Sequence, residues 1–416
     1  MPIDIRNSTG DKSITDVKIR NGASDKNIDH IFRRDSVNGD KTIWRRWPSN
    51  PLTYINGPSV SGNLYCGGVL LDNGNVLMVP SYGSTYVRVY NPPSGTISAS
   101  NIGTVSTGSS VGTWTTTYWY SNCVKLSNGR VVLCPHETST VRVINADGLN
   151  EYTTVDTGSI GTDRFGGGAV RVDSTYGERV WFTVHSARFS SSAFHYPFTY
   201  IPSGNTFNNL SSSSIGYAAR AFSGNGVLLP NNDIIWAPYQ ALQVGRIASN
   251  TDSLVGFGTS FGTHANEGTY YGKFSSGVLL PNGLVLLVPD VYANLVLVNP
   301  TSSSIVWAGG SLAANSWVTG PSVSSYQGTG TYNNGAFSSG VLLEEYGKVI
   351  LIPKGAANFG IYDIATNTLS AGPAHGLSLG TSYGIWAGQA VYLPSKRCIV
   401  MTPRASSTVG LLKIAE

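Results

Sequence analysis

Charge is scarce in this 416-residue chain. Asp, Glu, Lys and Arg make up 12% of it, about half the share of an ordinary soluble domain. The net charge of +4 is too small to imply a nucleic-acid partner. Cysteine is sparse as well. Cys66, Cys123, Cys134 and Cys398 show no CxxC and no paired spacing, so nothing requires a disulfide framework or a zinc site, and they read as small buried apolar residues. No apolar run approaches the ~20 residues that span a bilayer. The first residues, MPIDIRNSTGDKSITD, lack the apolar core of a signal peptide, so the chain is expected to be soluble when made and its sequons at Asn7 and Asn209 fortuitous. GxGxxG after a strand, the P-loop, HExxH and GxSxG are all missing.

Glycine and tyrosine are abundant, at 49 and 22 residues, a composition suited to strands and turns. An internal repeat accounts for them. Apolar runs begin at Val69 (VLLDNGNVLMVP), Val124 (VKLSNGRVVLCP), Val170, Val227 (VLLPNNDIIWAP), Val278 (VLLPNGLVLLVP), Val341 and Val391, at spacings of 55, 46, 57, 51, 63 and 50 residues. In each copy two apolar runs flank a turn. Asn-Gly at 73–74, 128–129 and 282–283 predicts a two-residue hairpin with positive φ. A third, alternating run follows (VRVYNP at 87–92, LVLVNP at 295–300), then a weaker fourth (TISA at 96–99, SIVWAG at 304–309, TLSAGP at 368–373). Continuous apolar runs mean strands covered on both faces. No copy has a 3.6-residue period, which excludes a helical solenoid.

Four strands in each unit of about 50 residues predict an all-β fold, a seven-bladed β-propeller of four-stranded blades over residues 48–416. The last copy ends after its third strand, VGLLKI, while PLTYINGP at 51–58 precedes the first copy without a blade of its own. That N-terminal strand is expected to complete the seventh blade and close the ring, removing an open edge. The unit resembles the Kelch-type repeat in pattern only, since Val79-Pro80, Val288-Pro289 and Ile352-Pro353 stand where Kelch blades carry Gly-Gly. Nothing about a Kelch partner is carried over.

Residues 1–47 differ abruptly. They hold ten Lys/Arg and seven Asp/Glu, against 17 and 16 in the remaining 369 residues. Short strands ITDVKIRN, IDHIFRRD and KTIWRRW form a small charged β module, too small to bury much core alone. Ile31, Phe32, Arg33, Arg34, Trp44 and Arg45 are its candidate docking residues; the interleaved aspartates favour protein docking over nucleic acid. The stretch ITDVKIRNGASDKNIDHIFRRDSVNGDKTIW is similar to the short β modules that end structural proteins of tailed bacteriophages. The resemblance implies a virion component, docked to other virion proteins through residues 1–47, with the propeller displayed. It also implies location in the virion, reached by lysis.

Catalysis is not expected. A propeller glycosidase needs carboxylates grouped near the axis, and Glu137, Asp163, Glu267 and Asp290 are scattered over different blades. The six dispersed histidines suggest no metal, and no cofactor is expected. Binding is favoured instead. Residues just past each second strand form one ring on one face: Tyr82, His136, His185, Tyr239, Asp290, Lys354 and Arg404, with Tyr292 nearby. Loops leading into the first strands of that face add Trp114, Trp119, Tyr120, Arg164, Arg220, His264, Tyr270, Tyr271, Tyr332 and Trp386. Aromatic and polar groups side by side suit a host-surface glycan or a protein. The aromatic just before each repeat valine (Tyr65, Tyr120, Phe165, Phe222, Phe274, Phe337, Trp386) recurs so regularly that it reads as packing. The leading expectation is a phage virion protein displaying a propeller, tail-associated or head-decorating, for host-surface binding or as a structural adaptor. The alternatives are a free carbohydrate-binding propeller and a propeller hydrolase or lyase.

Overall fold

The computed structural model describes residues 30–35, 39–45, 47–49, 51–60, 64–82, 86–101, 120–136, 138, 140–147, 150–156, 164–186, 198–209, 221–262, 272–326, 335–377, 386, 388–404 and 406–415. Seven four-stranded antiparallel sheets follow one another around a ring, and the helical elements among the described residues are three single 3-10 turns. The first sheet, blade 1, runs Leu64–Leu70, Val76–Tyr82, Tyr86–Asn91 and Thr96–Asn101. Blade 7 is assembled from both ends of the ring. Its strands are Val391–Leu393, Cys398–Met401 and Thr408–Ile414, and the fourth is Leu52–Ser59, with Leu52 opposite Ile414 and Ser59 opposite Thr408. The expected N-terminal closing strand is present.

The apolar runs are continuous because the cores lie between blades. Along the second strand of blade 1, Leu77 and Val79 pack with Val131 and Leu133 of blade 2, while Val76 and Met78 pack with Val391 and Val400 of blade 7. Alternate side chains of one strand thus enter two different cores. Seven such clusters, one at each blade interface, complete the circle. The second strand Val285–Pro289 is buried at every position, and each such side chain contributes about 1.5–3 kcal/mol.

The recurring aromatic is structural, as its regularity suggests: all seven copies have at most 1% exposure. Its ring crosses the second strand and lies over the third. A Cβ on Gly245 would sit 2.7 Å from the Phe222 ring, and one on Gly360 would sit 3.0 Å from that of Phe337. Where the aromatic is Tyr65, the third strand supplies Arg88 instead, whose Nε donates to the phenol oxygen at 2.6 Å.

Two local expectations are corrected. The Asn-Gly turns are three-residue loops. Leu71 N–H donates to Asn75 O at 2.9 Å and Gly74 N–H to Leu71 O at 3.0 Å, with positive φ (81°) at Gly74 but not at Asn73. Asn73 acts through its side chain, Oδ1 accepting from Asn75 N–H at 3.0 Å. Blade 4 repeats this geometry with Asn232, at φ 66°, in place of glycine. The second correction is in blade 5. Residues 305–307 are not its fourth strand; Ile305–Trp307 and Gly310–Leu312 form a separate hairpin, and the fourth strand is Ser316–Ser322. The fully buried Asn299 anchors this insertion. Its Nδ2 donates to Ser303, Leu312 and Ala313 carbonyls at 2.8, 3.0 and 2.9 Å.

The chain divides into two compact units, Met1–Arg46 and Trp47–Glu416. In the first, His30–Asp35 and Gly39–Arg45 form an antiparallel hairpin that pairs Ile31 with Trp44 and Arg33 with Lys41. The predicted strand at 14–21 lies outside the described residues.

Candidate binding face

Each blade's first strand enters from one face and turns back at the other. The faces therefore differ in kind. One carries the hairpins between first and second strands; the other carries the connections between second and third strands and between blades. The predicted ring belongs to the second, here called the loop face.

Its described members are occupied largely with holding blades together. A relay of backbone hydrogen bonds threads blades 4 to 6: Tyr239 N–H to Ala221 O, Lys273 N–H to Tyr239 O, Asp290 N–H to Lys273 O, Ala336 N–H to Asp290 O, and Lys354 N–H to Ala336 O, all 2.7–3.0 Å. The Asp290 carboxylate is fully buried and accepts from Lys354 Nζ at 2.8 and 2.7 Å through its two oxygens. This ion pair joins blade 5 to blade 6, and Gly335 leaves the space it occupies. Lys273, also fully buried, places Nζ 3.4 Å from Gln240 O. Tyr239 is 8% exposed, its ring against the Gly272 backbone. Tyr292 is half-buried against Phe274 and Phe261, with centroids at 5.0 and 6.0 Å, and burial raises its phenol pKa.

His136, Lys354 and Arg404 are half-buried on this face. Burial pushes the Cys66 thiol up to about 12, partly opposed by the positive charge of Arg404. All four cysteines are free and buried. Tyr82 ends the second strand of blade 1 and His185 is the last residue but one in that of blade 3, but their side chains lie outside the described residues. So do Trp114, Trp119, Arg220, His264, Tyr270, Tyr271 and Tyr332, the candidate carboxylates Glu137, Asp163 and Glu267, and the side chains of Arg164, Ile31, Phe32, Arg33, Arg34, Trp44 and Arg45. The structure therefore gathers Tyr239, Asp290, Tyr292 and Lys354 into one sector, blades 4 to 6. Among the described residues, no group of three His, Cys, Asp or Glu could hold a metal ion.

Two arrangements escaped the sequence reading. On the hairpin face, Arg171 and Arg179, each 2% exposed, place their guanidinium carbons 4.3 and 4.6 Å from the Trp181 ring. Arg171 reaches blade 4 through Ala248 and Thr251 carbonyls, and Arg179 reaches Asp252. The only signal was that blade 3 replaces the usual turn with DSTYGERVW. The other is an amide cluster in which Asn225 Nδ2 donates to Cys123 O and to Gln389 Oε1.

No protein-family model matches the chain, and no curated protein sequence matches it. Solved structures do. A streptogramin B lyase is 12% identical with a TM-score of 0.59, covering 88% of this chain and 98% of its own. A virginiamycin B lyase from Staphylococcus aureus is 13% identical with a TM-score of 0.56, covering 88% and 99%. The WD40 repeats of RRP9 are 10% identical with a TM-score of 0.52, covering 89% and 99%. At such identities the likeness is one of fold, and with the ring described above it makes this chain a seven-bladed β-propeller.

Proposed function

We propose that the chain is a display protein, a structural component of a tailed-phage virion. Its charged N-terminal segment docks to other virion proteins, and its propeller presents the loop face to a host-surface glycan or protein. The observation that carries this reading is the division into two unlike units: Met1–Arg46, rich in charge, and a closed ring that is poor in it.

At Asp290 the pairing with Lys354 supports binding over bond cleavage; the other three candidate carboxylates lie outside the described residues. A buried, paired carboxylate makes a poor general acid or base. The test compares the full chain with one lacking residues 1–46 for incorporation into phage particles, with circular dichroism reporting on the ring. The reading expects loss of incorporation with the ring intact. Equal incorporation of both forms would refute docking through the N-terminal segment.

A further inference from the structure

The axis of the ring holds a cluster of uncharged amides that the repeat does not explain. Where most first strands carry Gly, Ser or Cys between the aromatic and the valine, blade 4 carries Asn225, blade 2 carries Asn122, and Gln389 precedes the first strand of blade 7. Asn225 reaches across the ring. Its Nδ2 donates to Cys123 O of blade 2 at 2.9 Å and to Gln389 Oε1 at 2.9 Å. Its Oδ1 accepts from Gly168 N–H of blade 3 at 3.1 Å. Blades 4 and 7 are not neighbours, and neither are blades 4 and 2, so both donated bonds skip at least one blade of the ring. Gln389 continues the connection, its carbonyl accepting from Gly68 N–H of blade 1 at 3.2 Å.

We infer that Asn225 is an axial lock: one carboxamide that braces blades 2, 3, 4 and 7 against each other. The close approach requires glycine in blade 3: a Cβ on Gly167 would lie 2.2 Å from Gly224 O and 2.8 Å from Asn225 N. The ring is thus held twice, at its rim by the strand Leu52–Ser59 and across its middle by this amide. This inference does not depend on the virion reading.

The buried thiols supply a readout. Cys123 contributes the acceptor carbonyl, and Cys66 packs with it in the same blade 1–blade 2 core. Cys398 is buried too, in the second strand of blade 7 and away from the brace. The thiolate is the reactive form, so thiols whose pKa is raised by burial label only when the surroundings open. The experiment measures labelling of full-length protein by a maleimide, resolved by peptide mass spectrometry. In Asn225→Ala, Cys123 and Cys66 should label about tenfold or more faster than in the parent, while Cys398 should not change. Asn225→Asp keeps the acceptor for Gly168 N–H and loses both donors, so it should behave like Asn225→Ala. Equal acceleration at all three cysteines, or none, overturns the inference. If Asn225→Ala does not fold, Gln389→Ala decides at an exposed residue. It should accelerate Cys66 relative to Cys398, and no difference between them overturns the lock.

Discussion

Replacing Lys354 by Met tests whether the loop-face ion pair is structural. The substitution keeps the aliphatic stem and removes the ammonium that holds both Asp290 oxygens. Asp290 is fully buried and Lys354 keeps 17% side-chain exposure. Removing one member of a buried pair costs about 3–5 kcal/mol because the remaining charge is left uncompensated. Water can partly reach the lysine's position, so the lower end, about 3 kcal/mol, applies. The double variant Asp290→Asn with Lys354→Met leaves no buried charge and should recover much of the loss, giving a coupling energy above ~1 kcal/mol in a double-mutant cycle. Denaturant unfolding of the four proteins, followed by tryptophan fluorescence, measures it. If Lys354→Met unfolds within ~0.5 kcal/mol of the parent, the pair does not hold blades 5 and 6 together, and Lys354 is free to be read as a ligand-binding residue.

Gly360→Ala would place a Cβ 3.0 Å from both Phe337 Cζ and Leu351 Cδ1; overpacking of about 1–3 kcal/mol is expected in the same unfolding assay. Deleting residues 51–59 bares the edge of Thr408–Ile414, and light scattering should show association through that open strand. His375 gives a pH signature. Burial lowers its pKa despite the opposing backbone bond to Ala356 O, and Nδ1 accepts from Leu377 N–H at 3.1 Å, which requires the neutral ring. A folded pKa below the unfolded value means stability is fully present above about pH 6.5 and is lost as pH falls from there toward the folded pKa. Thermal unfolding at pH 7.5 and 5.5 should therefore show a larger drop in the parent than in His375→Asn; equal drops would count against it.

How much of this was legible beforehand depended on sequence distance. The blades showed themselves because Val76–Val79 and their counterparts must satisfy a core on each side, and that demand writes an unbroken apolar run into every copy. The closing strand was legible because the seventh copy lacked a partner. The blade-5 insertion was not, since IVW and SWV are equally good strands; the choice falls to the Asn299 side chain, which collects three carbonyls over fourteen residues. The turn type was misread because Asn-Gly suits both two- and three-residue loops, and the hydrogen bond across Leu71 and Asn75 decides. The ring residues looked variable and therefore ligand-facing. Their variation partly serves pairing instead: Asp290 and Lys354 stand 64 positions apart, as, outside that ring of residues, Asn225 and Gln389 stand 164 apart. No local pattern reports such partners.

The most direct test of the display reading is peptide mass spectrometry of purified phage particles from the host that makes this chain, coupled to oxidative footprinting. The reading predicts that the chain is present, with His136 and Tyr292 on the loop face oxidised as readily as in free protein. Absence of the chain from particles, or protection of those loop-face residues with the hairpin-face Tyr176 left open, would contradict it.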